Sequence, residues 1–175
     1  MKHEKLQKMV LAAMFAALTY VATNIIHIPM PATGGYINLG DCMVLLGAFL
    51  LGPVYGAAAG GIGSMLADLL LGYLSYAPGT MLIKGLMAFC AALIFRGLKG
   101  KGGMLTATVA AGIAAECIMV LGYFAYEAVL LGFGMAAAAS IPGNAIQGMF
   151  GLVISAVLYQ GLVRIPAIKR TVQIG

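Results

Sequence analysis

Long apolar segments recur from one end of this chain to the other, and no stretch between them is long enough to form a soluble domain. In order they are Met9–Ile26, Cys42–Leu51, Val54–Leu71, Thr80–Phe95, Met104–Leu131 and Ile141–Val163. An α-helix needs ~20 apolar residues to cross a hydrocarbon core of ~30 Å. Five of these segments come near that length or exceed it. The second does not: even extended over 39–52 it has about 14 residues, which requires a thin or tilted crossing. The chain has 175 residues, 62% of them hydrophobic and 9% charged, with a mean hydropathy of +1.03. These values predict one integral-membrane domain over residues 1–175, an all-α membrane protein built as a six-transmembrane-helix bundle. The first apolar run is too long for the ~7–15-residue core of a signal peptide and reads as a retained helix.

The net charge is +5, but the cations mark segment ends rather than a nucleic-acid face. Lys2, Lys5 and Lys8 precede the first span, Arg96, Lys99 and Lys101 follow the fourth, and Arg164, Lys169 and Arg170 follow the sixth. An even number of spans separates the clusters, so all three fall on one side, and the positive-inside rule makes both termini cytoplasmic. The expected location is the plasma membrane, multi-pass, in contact with lipid. Cys42, Cys90 and Cys117 lack metal-ligand spacing and read as small packing residues. GGIGS (Gly60–Ser64) lacks the Lys-Ser/Thr ending and preceding strand of a phosphate loop. No catalytic constellation, metal site or cofactor motif stands out, so an enzyme is not expected. No internal repeat supports an inverted-repeat transporter.

The polar residues inside this apolar chain are distributed unevenly. In the six-span orientation, Asp68, Lys84, Glu116, Glu127, Asn144 and Gln147 all fall in the outer half or at the midplane, and Asp41 opens the second span from outside. A charge at the bilayer centre costs about 2.5–3.5 kcal/mol on insertion scales, so such residues face a bundle interior or a wet cavity. Clustered toward one face, they predict a cavity with a single, outward mouth and an apolar base. Asp68 and Lys84 could contact a ligand, pair with each other, or both. Asp41 reads as a helix cap. Glu127 reads as a solvated residue near the interface, and Glu116, deep and without a cationic neighbour in sequence, as functional. Asn144 and Gln147 share a helix face and serve either a ligand or interhelical hydrogen bonds. Tyr36, Tyr73, Tyr76, Tyr123 and Tyr126 crowd the outer side, where phenols could stack on a flat ring. His3 and His27 carry no assigned role. The expected substrate-binding set is Asp68, Lys84, Glu116, Tyr76, Tyr123, Asn144 and Gln147.

Two ladders of small residues complete the pattern. Gly52, Gly56 and Gly60 suit packing within the chain. Ala12 with Ala16, and Ala13 with Ala17, make a smooth stripe on the first span that admits a close helix. By spacing alone its partner is undecided.

Three stretches carry a resemblance: YINLGDCMVLLGAFLLGPVYGAAAGGIGSMLADLLLGY (Tyr36–Tyr73), YAPGTMLIKGLMAF (Tyr76–Phe89) and PGNAIQGMFG (Pro142–Gly151). In order and spacing the chain resembles the S component of energy-coupling factor (ECF) vitamin transporters, in the riboflavin-type branch. The resemblance implies a six-helix bundle whose outward pocket is capped by the loop after the first helix. It implies partners: a transmembrane coupling subunit and two ATP-binding cassette ATPases. It also implies a docking role for Ala12, Ala13, Ala16 and Ala17, the family's AxxxA motif. The expected function is capture of a water-soluble vitamin or precursor, pyridoxine- or hydroxymethylpyrimidine-like, with riboflavin next. The alternatives are a stand-alone proton-coupled transporter, suggested by Glu116 and Glu127 in one apolar helix, and a membrane assembly protein without a ligand.

Overall fold

The computed structural model describes residues 2–166 and 168. Helix α1 spans Lys2–Ile25, and a hairpin of β1 (His27–Met30) and β2 (Gly35–Asn38) follows it. The remaining helices are α2 (Gly40–Leu51), α3 (Pro53–Leu71), α4 (Ala77–Leu98), α5 (Met104–Ala125) and α6 (Ile141–Leu162). A π-helical turn, Tyr126–Leu130, continues α5, and a 3-10 turn, Gly134–Ser140, leads into α6. Each expected span is found as a helix, with ends shifted by a few residues. Lys169 and Arg170, part of the third basic cluster, lie outside the described residues.

Helix α2 differs from the others in environment. Its 12 residues rise about 18 Å, well short of the hydrocarbon thickness. It needs no tilted crossing against lipid, because it packs among α1, α3, α4 and α6 and buries ten of its residues. A helix enclosed on all sides is apolar all round, which is the pattern GDCMVLLGAFLL shows after its first two residues. The turn from α2 to α3 uses Gly52 at φ +82°, where a Cβ would also collide with the Arg96 guanidinium. The positive φ is what calls for glycine, because the end of the Arg96 side chain can swing aside. The glycine ladder packs within the chain: Gly60 lies against Val44 of α2, and neighbouring Gly63 lies against the Ala16 backbone of α1.

The segment His27–Asp41, which holds Pro29, Pro31, Gly34 and Gly35, ends the first helix. It does so as an antiparallel hairpin, with His27 opposite Asn38 and Met30 opposite Gly35. Gly34 closes the turn at φ +71° and donates its N–H to the Met30 carbonyl at 2.9 Å. At the opposite end of the bundle, Phe49, Phe95 and Tyr159 from α2, α4 and α6 pack ring to ring with centroids 5.0–5.7 Å apart. All three are buried. The base of the bundle is therefore apolar, as the polar distribution predicts.

Candidate functional site

The hairpin lies over the ends of α3, α4 and α6 and encloses a cavity of about 20 Å³. Five of the expected substrate-binding residues line it: Asp68, Tyr76, Tyr123, Asn144 and Gln147. They come from α3, the residue just before α4, α5 and α6, so antiparallel packing converts residues far apart in sequence into one wall. A cavity this small holds about one water molecule, so the hairpin closes the site.

Four hydrogen bonds hold the hairpin down. The Tyr36 hydroxyl donates to Asp68 Oδ1 at 2.6 Å, and the Tyr76 hydroxyl donates to the Thr33 carbonyl at 2.8 Å. The Asn38 N–H donates to Gln147 Oε1 at 2.8 Å. His27 Nε2 and the Tyr73 hydroxyl lie 3.0 Å apart. The His27 and Tyr73 rings each lie 4.6 Å from that of Tyr36, forming an aromatic cluster at the mouth. Burial, reinforced by the Asp68 charge, pushes the Tyr36 hydroxyl pKa far up. Burial also raises that of Tyr76. Both phenols remain donors across the physiological range.

Lys84 and Glu116 lie outside the cavity wall. Lys84 is one turn deeper than Thr80 on α4, and Glu116 lies about two turns deeper than Tyr123 on α5. With Asp41 they form a polar layer between the cavity and the aromatic base. Lys84 does not pair with Asp68. It forms a fully buried salt bridge with Asp41, and its ammonium stands 5.4 Å from the centre of the Tyr123 ring. Gln147 Nε2 donates to the other Asp41 oxygen at 2.7 Å, so one side chain joins the ion pair to the hairpin. Asp41 is therefore not a helix cap. It sits inside the first turn of α2, and Asn38 Oδ1 instead accepts the Gly40 N–H at 2.8 Å.

Glu127 is not solvated at an interface. It is 1% exposed, lines the cavity from the π-helical turn, accepts a hydrogen bond from Ser140, and lies 3.1 Å from the Tyr76 hydroxyl. The π-helical turn rotates Glu127 inward, and no period in the sequence announces such a turn. Asn38 and Thr33 also serve the site unforeseen, and Tyr36, one of the outer tyrosines, does so as a latch on Asp68. Their role depends on hairpin pairing, which sequence spacing did not suggest. Among the described residues, the buried polar side-chain atoms without a partner are Thr33 Oγ1, Asp68 Oδ2, Asn144 Nδ2, Gln160 Nε2 and both oxygens of Glu116. Asp68 and Asn144 line the cavity. Glu116 instead faces Gly148 and Gly151, either of whose Cβ atoms would come within 2.9 Å of its carboxyl oxygens.

The alanine stripe divides. Ala12 is buried and Ala16 abuts Gly63, so these two also pack inside the chain. All four alanines line an apolar groove of about 670 Å³ between α1 and α3, with Tyr20, Tyr55, Ala58 and Ile62, and Ala13 and Ala17 are the exposed pair.

Five helices are long and apolar enough to cross a membrane, a sixth is sheathed by them, and their polar groups converge under a hairpin at one end. These features define a multi-pass membrane protein with a solute-binding site. The family described as the ECF-type riboflavin transporter S component matches residues 3–164. The chain belongs to this family of integral-membrane transport subunits, which act with an ECF module of a membrane subunit and ATPases. An uncharacterized Pyrococcus woesei protein is 41% identical over 134 residues, covering 77% of this chain and 86% of that protein. The thiamine precursor transporter HmpT of Lactococcus lactis subsp. cremoris is 29% identical over 173 residues, covering 98% and 93%. A solved S component of a bacterial ECF transporter shares the fold at TM-score 0.66 and 20% identity, over 91% of this chain and 97% of that one.

Proposed function

We propose that this chain is the substrate-capture subunit of an ATP-driven ECF importer and binds a small, polar heteroaromatic vitamin precursor, hydroxymethylpyrimidine-like before pyridoxine-like or riboflavin. The observation that carries this is the unpartnered pair Asp68 Oδ2 and Asn144 Nδ2, one acceptor and one donor, buried at the cavity wall. A buried polar group without a partner costs about 1–3 kcal/mol. A ring bearing an amino group beside a ring nitrogen supplies the matching donor and acceptor. Tyr36, Tyr76 and Tyr123 offer faces for it to stack on. The thiamine-precursor name of the Lactococcus relative supports the same ligand class. Riboflavin, a larger ring system, would require a wider opening of the hairpin.

In this reading the termini are cytoplasmic, the hairpin faces outward, and it lifts to admit the ligand. The base is apolar, so release inside needs the coupling subunit, which docks in the groove edged by Ala13 and Ala17. Mass spectrometry of small molecules released from the purified protein tests capture, and a stoichiometric aminopyrimidine is expected. Ala13→Leu/Ala17→Leu tests delivery. Uptake should be lost while binding is retained, and uptake that survives would refute the docking role.

A second reading draws on Glu116, whose carboxyl lies buried without a partner. Such a group suits a proton-coupled carrier. That reading requires uptake into proteoliposomes driven by a pH gradient without ATPases. No uptake of a ligand that binds would eliminate it.

A further inference from the structure

The charges around the cavity are one-sided. Asp68 and Glu127 line it, 2% and 1% exposed. The nearest cation, Lys84, does not line it and is committed to Asp41. No Arg, Lys or His is among the lining residues. One feature favours negative charge: the N-terminal end of α6, whose first two turns bring Asn144 and Gln147 to the cavity. A helix terminus supplies about half a positive charge, too little to balance two carboxyl groups. Pro142 and Gly143 also provide no side-chain donor there.

We infer that this cavity selects the unphosphorylated form of its ligand and excludes phosphate esters by charge, with Asp68 and Glu127 as the specificity-determining residues. The inference rests on the proposed function and concerns the same site. A phosphate monoester brings about −1.5 to −2 charges at pH 7. In this cavity it meets either two carboxylates that repel it or two carboxyl groups that must take up protons to accommodate it. The donors available to it are few. Asn144 Nδ2 is free and Ser64 adds one hydroxyl, whereas the Tyr36, Tyr76 and Tyr123 hydroxyls already serve Asp68, the hairpin and Thr80. A neutral alcohol faces no such conflict, because its hydroxyl can donate to Asp68 Oδ2. Any kinase that phosphorylates the ligand inside the cell would thus convert it to a form this subunit does not bind.

The test measures binding to the purified protein in detergent by isothermal titration. The probes are hydroxymethylpyrimidine, pyridoxine and riboflavin, each with its phosphate monoester and its neutral dimethyl phosphotriester. For whichever alcohol binds, the monoester should be weaker by about 100-fold, equivalent to about 2.8 kcal/mol. The triester, which is larger but uncharged, should stay within about tenfold of the alcohol. In Asp68→Asn/Glu127→Gln the alcohol-to-monoester ratio should shrink at least tenfold. A monoester that binds within tenfold of its alcohol overturns the inference while leaving the proposed function intact. So does a triester rejected as strongly as the monoester, because size would then be the cause. If none of the alcohols binds, both the proposed function and this inference fail. The comparison in the unsubstituted protein decides the matter even if the double variant does not fold.

Discussion

Replacing Lys84 with Met provides a direct test of the buried polar layer. Lys84 and Asp41 are 2% and 0% exposed, and Asp41 also accepts from Gln147. Removing one member of a buried ion pair leaves the other charge uncompensated, at a cost of about 3–5 kcal/mol. Lys84→Met should therefore destabilise the protein by that amount. Asp41→Asn alone strands the ammonium and should cost a similar amount. The double variant Lys84→Met/Asp41→Asn removes both charges and keeps an amide oxygen opposite Gln147. It should be more stable than the sum of its parts by about 2–3 kcal/mol. Asp68 interacts with Lys84 only at longer range and is held by Tyr36, so Lys84→Met/Asp68→Asn should be additive to within about 1 kcal/mol. Reversible unfolding by SDS in mixed micelles, followed by circular dichroism, measures all four stabilities. Rescue by Asp68→Asn and none by Asp41→Asn would refute the pairing and restore Asp68 as the partner of Lys84, one of the alternatives left open by the sequence.

Other outcomes follow from the same geometry. Gly151→Ala places a Cβ 2.7 Å from Asp41 Cβ and 2.9 Å from a Glu116 oxygen, so it should destabilise by about 1–3 kcal/mol in the same unfolding assay. Glu116→Gln should leave ligand affinity within about threefold, because Glu116 does not line the cavity; titration calorimetry checks this. Tyr36→Phe removes a latch bond to Asp68 and should raise the ligand dissociation rate, read by stopped-flow release. Burial raises the Tyr36 and Tyr76 hydroxyl pKa above the ordinary 10.0, so the folded state favours their neutral forms. Their contribution to stability is complete below that pH and is lost as the pH rises above it. Thermal stability should fall on the alkaline side, and less steeply in Tyr36→Phe.

The residues show how far a linear reading reaches. Hydropathy placed the helices because each segment in contact with lipid must be apolar along its length, a local property. The bias of Asp68, Asn144 and Gln147 toward one face was equally legible, since alternating helices fix the depth of each residue. The partner of Lys84 was not. Asp68 is nearer in sequence, but Asp41 is the partner because α2 runs inside the bundle, against both α4 and α6. Glu127 was misread for a similar reason, as a π-helical turn changes which face a residue presents.

The sequence by itself determined that the chain crosses a membrane as a helical bundle, that its polar groups gather toward one end, and that its family is that of ECF S components. These follow from the solvent each residue must tolerate and from the order of its motifs. Tertiary structure alone decided that the loop over the pocket is a β-hairpin, which bonds latch it, and that Asp41 neutralises Lys84. It also decided that the groove bordered by the alanine stripe is walled on its other side by α3, with Ala13 and Ala17 its exposed pair. Each of these depends on which helix stands beside which, and that is set by the packing of Gly60 on Val44 and Gly63 on Ala16, contacts made across distances that no sequence period encodes.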